Sequence, residues 1–174
     1  MAHNPEQVQM IWPKGKPAPD LQHSLPPDML LRAYRPGWDE KKLRSWLYRI
    51  MPGGWLMLVD QHSGEIIGTC MATHDHTWQQ PFCGEVGWRA VHPARQGDGL
   101  GAVVAAAVVE RFLQAGYACI HLYTEVWHLA ALKMYLKLGF IPYLDPPESS
   151  ARWVEICTQA GWPFTPNKWK RPSS

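Results

Sequence analysis

Gly84-Glu85-Val86-Gly87-Trp88-Arg89-Ala90-Val91-His92-Pro93-Ala94-Arg95-Gln96-Gly97-Asp98-Gly99-Leu100-Gly101 is the stretch on which the fold turns. Its first half is apolar and β-prone, which predicts a strand over Cys83–Val91. Its second half alternates glycine with other residues and leads directly into Leu100–Ala115. There Val104, Val108 and Phe112 recur four apart, and Gly116 supplies the stop. Strand, glycine loop and apolar helix in that order make an anion site in outline. Glycines turn the backbone without Cβ atoms in the way, and a helix start offers unpaired N–H groups and a positive dipole end.

Outward from this stretch the pattern stays α/β. Ala118–Thr124 reads as a central strand and Trp127–Leu138 as a helix with Ala131, Tyr135 and Leu138 on one stripe. Gly139 ends that helix, and Phe140–Leu144 makes a last strand. Upstream, Met29–Tyr34 is a first strand, and Trp55–Val59 with Glu65–Thr73 a hairpin. Asp39–Ile50 is a helix carrying Leu43, Trp46, Leu47 and Ile50 inside, broken by Pro52-Gly53-Gly54. Residues 1–28 read as an extended or disordered arm with Ile11-Trp12 as a docking point, and residues 29–174 as one domain. The tail is variable from about residue 145, with a short helix over Arg152–Ala160.

Two phosphate-binding patterns fit the loop to different degrees. Gly97-x-Gly99-x-x-Ala102 matches the dinucleotide spacing, but the loop is long before Gly97. Glu125, the candidate ribose ligand, also lies beyond the roughly 20 residues expected. No Gly-Lys-Ser/Thr follows, so the Walker pattern fails.

Gln96-x-x-Gly99-x-Gly101 resembles the pyrophosphate loop of the GNAT N-acetyltransferase superfamily. Gly84–Pro93 is similar to that family's fourth strand, and Ala131, Tyr135, Gly139 and Phe140 to its Ala-x-x-x-Tyr-x-x-x-Gly-Phe ending. The resemblance covers roughly Gly84 to Tyr143. It implies a mixed, strongly twisted α/β sheet with splayed central strands and flanking helices. It also implies a transferase of the EC 2.3.1 class that uses acetyl-CoA or another acyl-CoA as co-substrate.

Carried over position by position, Gln96, Gly97, Asp98, Gly99, Leu100 and Gly101 would hold the pyrophosphate. The backbone around Trp88, Ala90 and Val91 would pair with the pantetheine arm, and Gly87 would begin the bulge that makes the splay. Tyr135 matches the general acid, which would also lie against the cofactor, and Glu85 the base, with His121 a rival. His128 stands where the family has an asparagine that holds the CoA arm.

The implied acceptor is an amine on a small molecule or peptide, its pocket walled by candidates Trp38, Trp55, Trp78 and Trp127. A non-catalytic acyl-CoA sensor of the same fold is the alternative. A monomer and a homodimer both stay open.

Composition excludes other classes. A 174-residue chain with 46% apolar and 18% charged residues can bury a core. A net charge of +2 gives no field for nucleic acid. The longest apolar run, Ala102–Val109, is far short of the roughly 18 residues that span a bilayer. With no signal peptide in view, a cytoplasmic protein with free thiols at Cys70, Cys83, Cys119 and Cys157 is expected. The cysteines are too dispersed for zinc, and His74-Asp75-His76 lacks a third ligand, so no metal is expected.

Overall fold

The computed structural model describes residues 6–21, 24–33, 48–74, 83–145 and 147–169. The chain folds as two compact units, Pro17–Ile120 and Met1–Lys16 joined with His121–Ser174.

In the Pro17–Ile120 unit, β2 (Met29–Ala33), β3 (Ile50–Asp60), β4 (Ile66–His74) and β5 (Gly84–Val91) pair antiparallel in that order. The expected β3–β4 hairpin is present. Its turn is closed by the Asp60 carboxylate, which accepts the His62 and Ser63 N–H groups at 2.9 Å each. Those two backbone bonds, Ser63 first, hold the Asp60 carboxyl below its usual range.

Helix α1 (Leu100–Gln114) lies on β3, β4 and β5. Its stripe Val104, Val108 and Phe112 is fully buried, and a Cβ on Gly84 would run into the Phe112 ring. Sequence and packing agree here because an all-apolar first turn can only be stable under a sheet.

Two expectations are corrected in this unit. Pro52-Gly53-Gly54 does not end a helix. It lies inside β3, where Ile50 already pairs with Thr73, and the register slips between Ile50 and Trp55 to absorb it. Most of the expected helix, 39–47, lies outside the described residues.

The four-free-thiol expectation is also corrected, because Cys83 and Cys119 form a disulfide. Gly84 N–H donates to the Cys119 carbonyl at 2.9 Å, and the two cysteine Cα atoms stand 4.7 Å apart, within bridging range. Cys70 and Cys157 are free and buried.

In the other unit, β1 (Gln7–Ile11) lies between β6 (Ile120–Glu125) and β7 (Ile141–Pro142), antiparallel to both. The arm expected over residues 1–28 is thus a central strand over Gln7–Ile11, with Val8, Gln9, Met10, Ile11 and Trp12 buried. A strand covered on both faces shows no period-two alternation, which is why its sequence reads as structureless.

Lys16 extends the anchoring. Its Nζ lies 4.9 Å over the Trp12 ring and donates to the Gly139 carbonyl at 3.2 Å, while Trp12 Nε1 donates to the Lys16 carbonyl at 2.9 Å. Burial lowers the Lys16 pKa. The cation thereby sits at the C-terminal end of α2 (Leu129–Leu138), where the helix dipole favours it. Helix α3 (Glu148–Ala160) packs on α2 through a stripe that includes the fully buried Trp153. It starts one turn before the expected Arg152. Among the described residues no helix is long and apolar enough to cross a membrane.

Candidate functional site

The β4–β5 ladder breaks where the sequence places Gly87. Thr69 pairs with Ala90, yet Met71 pairs with Gly87, so β5 carries one extra residue. That residue is Trp88, with φ at +50° and the indole 55% exposed. The expected bulge exists, and its left-handed residue is Trp88, one place after Gly87. The Cys70 thiol, facing the bulge from β4, donates to the Gly87 carbonyl at 3.5 Å. Burial pushes that thiol up to about 12, so it stays protonated and serves as a donor. Beyond the bulge, Ala90 is exposed and Val91 half-buried.

From Val91 the chain makes a 3-10 turn, Pro93–Arg95, in which His92 Nδ1 accepts the Ala94 N–H at 3.3 Å. Gln96 folds back so that its amide donates to the Val91 carbonyl at 3.4 Å. Gly97 and Gly99 take φ of +98° and +79°, where a side chain would be strained. Nothing lies within 4 Å of a Cβ built on either. Gly99 is the N-cap of α1 and gives no side-chain cap; no acidic residue follows in the first turn. The N–H groups of Leu100 and Gly101 therefore belong to the set that a helix cannot pair internally.

One carboxylate does lie in the loop. Asp98 is held by Arg95 Nε at 2.9 Å, and that bond, with the Asp98 charge, raises the Arg95 pKa. The acid is occupied by its neighbour and does not fill the helix end. Open space, left-handed glycines and a bare helix start form a cradle for an anion.

Glu85 lies on the same strand, on the face opposite α1, with Arg49 Nη2 3.6 Å from its carboxylate. Both side chains are mostly covered. Arg49 gives no sign of this role in the sequence, because only the β3–β4–β5 pairing carries the turn before β3 to Glu85. Glu85, Trp88, Ala90, Val91 and Gln96–Gly101 are thus brought together within the Pro17–Ile120 unit.

The other candidates belong to the second unit. Tyr135 is buried in α2, its ring edge-on to Phe140 at 5.6 Å. His128 is the N-cap of α2; its Nδ1 is 3.2 Å from Glu125 Oε2, and the Trp127 ring lies on its own at 3.7 Å. Burial raises the Glu125 pKa, but hydrogen bonds from Gln7, its own N–H and His128 outweigh this, and the net shift is downward. Glu125, the alternative ribose ligand, is therefore engaged with Gln7 and His128.

His121, the rival base, is fully buried in β6 with Nδ1 3.1 Å from the Gln9 amide, a core position closed to an acceptor. Among the described residues no group of three or more His, Cys, Asp or Glu is placed to hold a metal. His74 Nδ1 lies 3.0 Å from the Tyr117 hydroxyl; His76 falls outside the described residues.

Comparison with known proteins agrees with this geometry. The pattern of the Acetyltransferase (GNAT) family matches residues 25–140. The chain is 32% identical to a mycothiol acetyltransferase of Nocardia farcinica over 111 residues, covering 61% of this chain and 36% of that protein. It is 28% identical to the mycothiol acetyltransferase of Saccharopolyspora erythraea over 163 residues, 77% of this chain and 51% of that protein. The chain therefore spans about half or less of the length of these relatives.

Among solved structures, a GCN5-related N-acetyltransferase from Sphaerobacter thermophilus superposes with a TM-score of 0.60 at 19% identity. The match covers 79% of this chain and 48% of that one. A chain of the NatC complex, solved with Gag peptide and CoA, gives 0.57 at 24% identity, covering 66% of this chain and 85% of that one. These likenesses establish the α/β fold that the sequence implies. With two thirds of its length matched by the family pattern, the chain belongs to the GNAT acetyltransferase family.

Proposed function

We propose that this chain transfers an acyl group, acetyl in the first instance, from acyl-CoA directly to an amine. The observation that carries this reading is the run from the Trp88 bulge to the uncapped start of α1, with Gly97 and Gly99 left-handed and open to solvent. A diphosphate fits amides and a positive helix end, so no basic surface is needed and the net charge of +2 suffices.

In this reading Gln96, Gly97, Asp98, Gly99, Leu100 and Gly101 hold the diphosphate through backbone N–H groups. Trp88, Ala90 and Val91 present β5 backbone to the pantetheine amides, as an added strand would. The Val91 N–H polarises the thioester carbonyl. Glu85 takes a proton from the acceptor's ammonium, directly or through water, so that the neutral amine can attack the thioester carbon, with Arg49 fixing the Glu85 carboxylate. Tyr135 returns a proton to the thiolate; a phenol near 10 can protonate a thiol near 8.5 when both are held in a dry site. His128 takes the place of the family's asparagine, donating to the CoA arm from Nε2 while Nδ1 faces Glu125.

A small-molecule amine is the first acceptor to test, because the two relatives described above are named as mycothiol acetyltransferases. The decisive assay follows thiol release from acetyl-CoA over a panel of small amines, amino-sugars and peptides. Release that depends on one acceptor class and saturates supports transfer. Tight acetyl-CoA binding with no acceptor-dependent release would favour a binding module instead.

A further inference from the structure

Helix α2 begins with a histidine that does not cap it. His128 occupies the N-cap position, but its side chain makes no capping bond to the helix. The imidazole turns instead to the end of β6, where Nδ1 stands 3.2 Å from Glu125 Oε2. Gln7, from β1, donates to the other carboxylate oxygen at 3.2 Å, and the Trp127 ring lies on the imidazole with centroids 3.7 Å apart. The ring is thus oriented by its neighbours, while the His128 side chain stays 47% exposed.

This arrangement decides which nitrogen carries the proton. Against the opposing effect of burial, hydrogen bonds from Gln7, its own N–H and His128 keep the Glu125 pKa below its usual value. Glu125 is therefore ionised near neutral pH and can only accept. A neutral imidazole has one N–H, and the carboxylate draws it to Nδ1. Nε2 is then an acceptor, and it becomes a donor only in the imidazolium.

The CoA arm asks for a donor. Pantetheine lying along β5 as an added strand spends an amide N–H on each bond it donates, whereas a carbonyl oxygen that accepts from β5 keeps a second lone pair. What the arm still offers a side chain is an acceptor. An asparagine amide donates to it at any pH; His128 does so only when protonated. Facing the imidazole are the Glu125 carboxylate, which favours a charged ring, and the positive start of α2, which opposes it. Gln7 and Trp127 are neutral.

We propose that acyl-CoA binding takes up a proton at His128, with Glu125 the positioning residue that fixes the tautomer, so that the cofactor is held more tightly as pH falls. This rests on the acyl-CoA reading above and adds a proton-linked affinity to it. The sign follows from the uptake: at high pH the proton must be drawn from solvent, and at low pH the donor is already in place.

Calorimetric titration of the intact chain with acetyl-CoA, from about pH 6 to about pH 8 in buffers of unlike ionisation heat, counts the protons taken up. The CoA monophosphate titrates in the same range, so the quantity read is the difference between wild type and His128→Asn or His128→Gln, whose amides donate at every pH. Circular dichroism melts select the folded variants. Wild type should lose about tenfold in affinity across that range beyond the loss in either amide variant, and should take up more protons. Glu125→Gln keeps an acceptor for the Nδ1 proton without the charge, so its pH dependence should move to lower pH. Identical pH profiles and proton counts in wild type and a folded amide variant overturn the proposal. A Glu125→Gln profile that matches wild type overturns the role given to Glu125. Wild-type protein that binds no acetyl-CoA at any pH overturns the acyl-CoA reading itself, and this inference with it.

Discussion

Trp88 combines two features that seldom coincide. Its backbone is left-handed, which disfavours any residue with a Cβ by roughly 1–2 kcal/mol, and its indole is 55% exposed. Glycine adopts the same φ without strain, so Trp88→Gly should be more stable than Trp88→Ala by about 1 kcal/mol. Urea titration of the two variants measures the difference directly. Equal midpoints would mean that the left-handed geometry is not held in solution. At Tyr135 the issue is chemistry: the ring packs edge-on to Phe140, and the hydroxyl is the proposed acid. Tyr135→Phe should therefore keep acetyl-CoA affinity and thermal stability but slow thiol release by about 10²-fold or more. Unchanged turnover would take Tyr135 out of the mechanism.

At the scale of elements, long-range pairing accounts for what local sequence does not show. Gly97 and Gly99 are legible because a left-handed turn into a helix is a local demand, met within six residues. The bulge is legible only to within one residue, since its position is set by the register against β4 and the Cys70 thiol. β1 is hidden because both of its faces are covered, and the Arg49–Glu85 pair because the partners are distant in sequence.

Cys83 and Cys119 were separable from the other two thiols by no local feature; they meet because each precedes a strand, with Gly84 bonded to the Cys119 carbonyl. Thiol titration in denaturant should find two reactive groups, Cys70 and Cys157, and four after reduction. Cys83→Ser with Cys119→Ser should lower stability by about 3–4 kcal/mol, the loop entropy of a closure of this length. Four thiols before reduction would show that the bridge does not form.

For the whole molecule, the α/β class and the proposed donor end of the site are read from one stretch, because a strand, a glycine loop and an apolar helix in sequence leave few other arrangements. The acceptor end is less legible. Trp55 is one of its four candidate walls, yet it is buried with Nε1 bonded to Thr69, a core role, while Trp127 is exposed beside His128. Trp38 and Trp78 fall outside the described residues.

The central claim is that the loop and the start of α1 take the diphosphate of acyl-CoA. Calorimetric titration of the intact chain with acetyl-CoA, run beside NAD, addresses it most directly. Saturable one-to-one binding of acetyl-CoA, with a rise in melting temperature that NAD does not produce, is the expected result. Binding of NAD in preference to acetyl-CoA, or of neither, would contradict it.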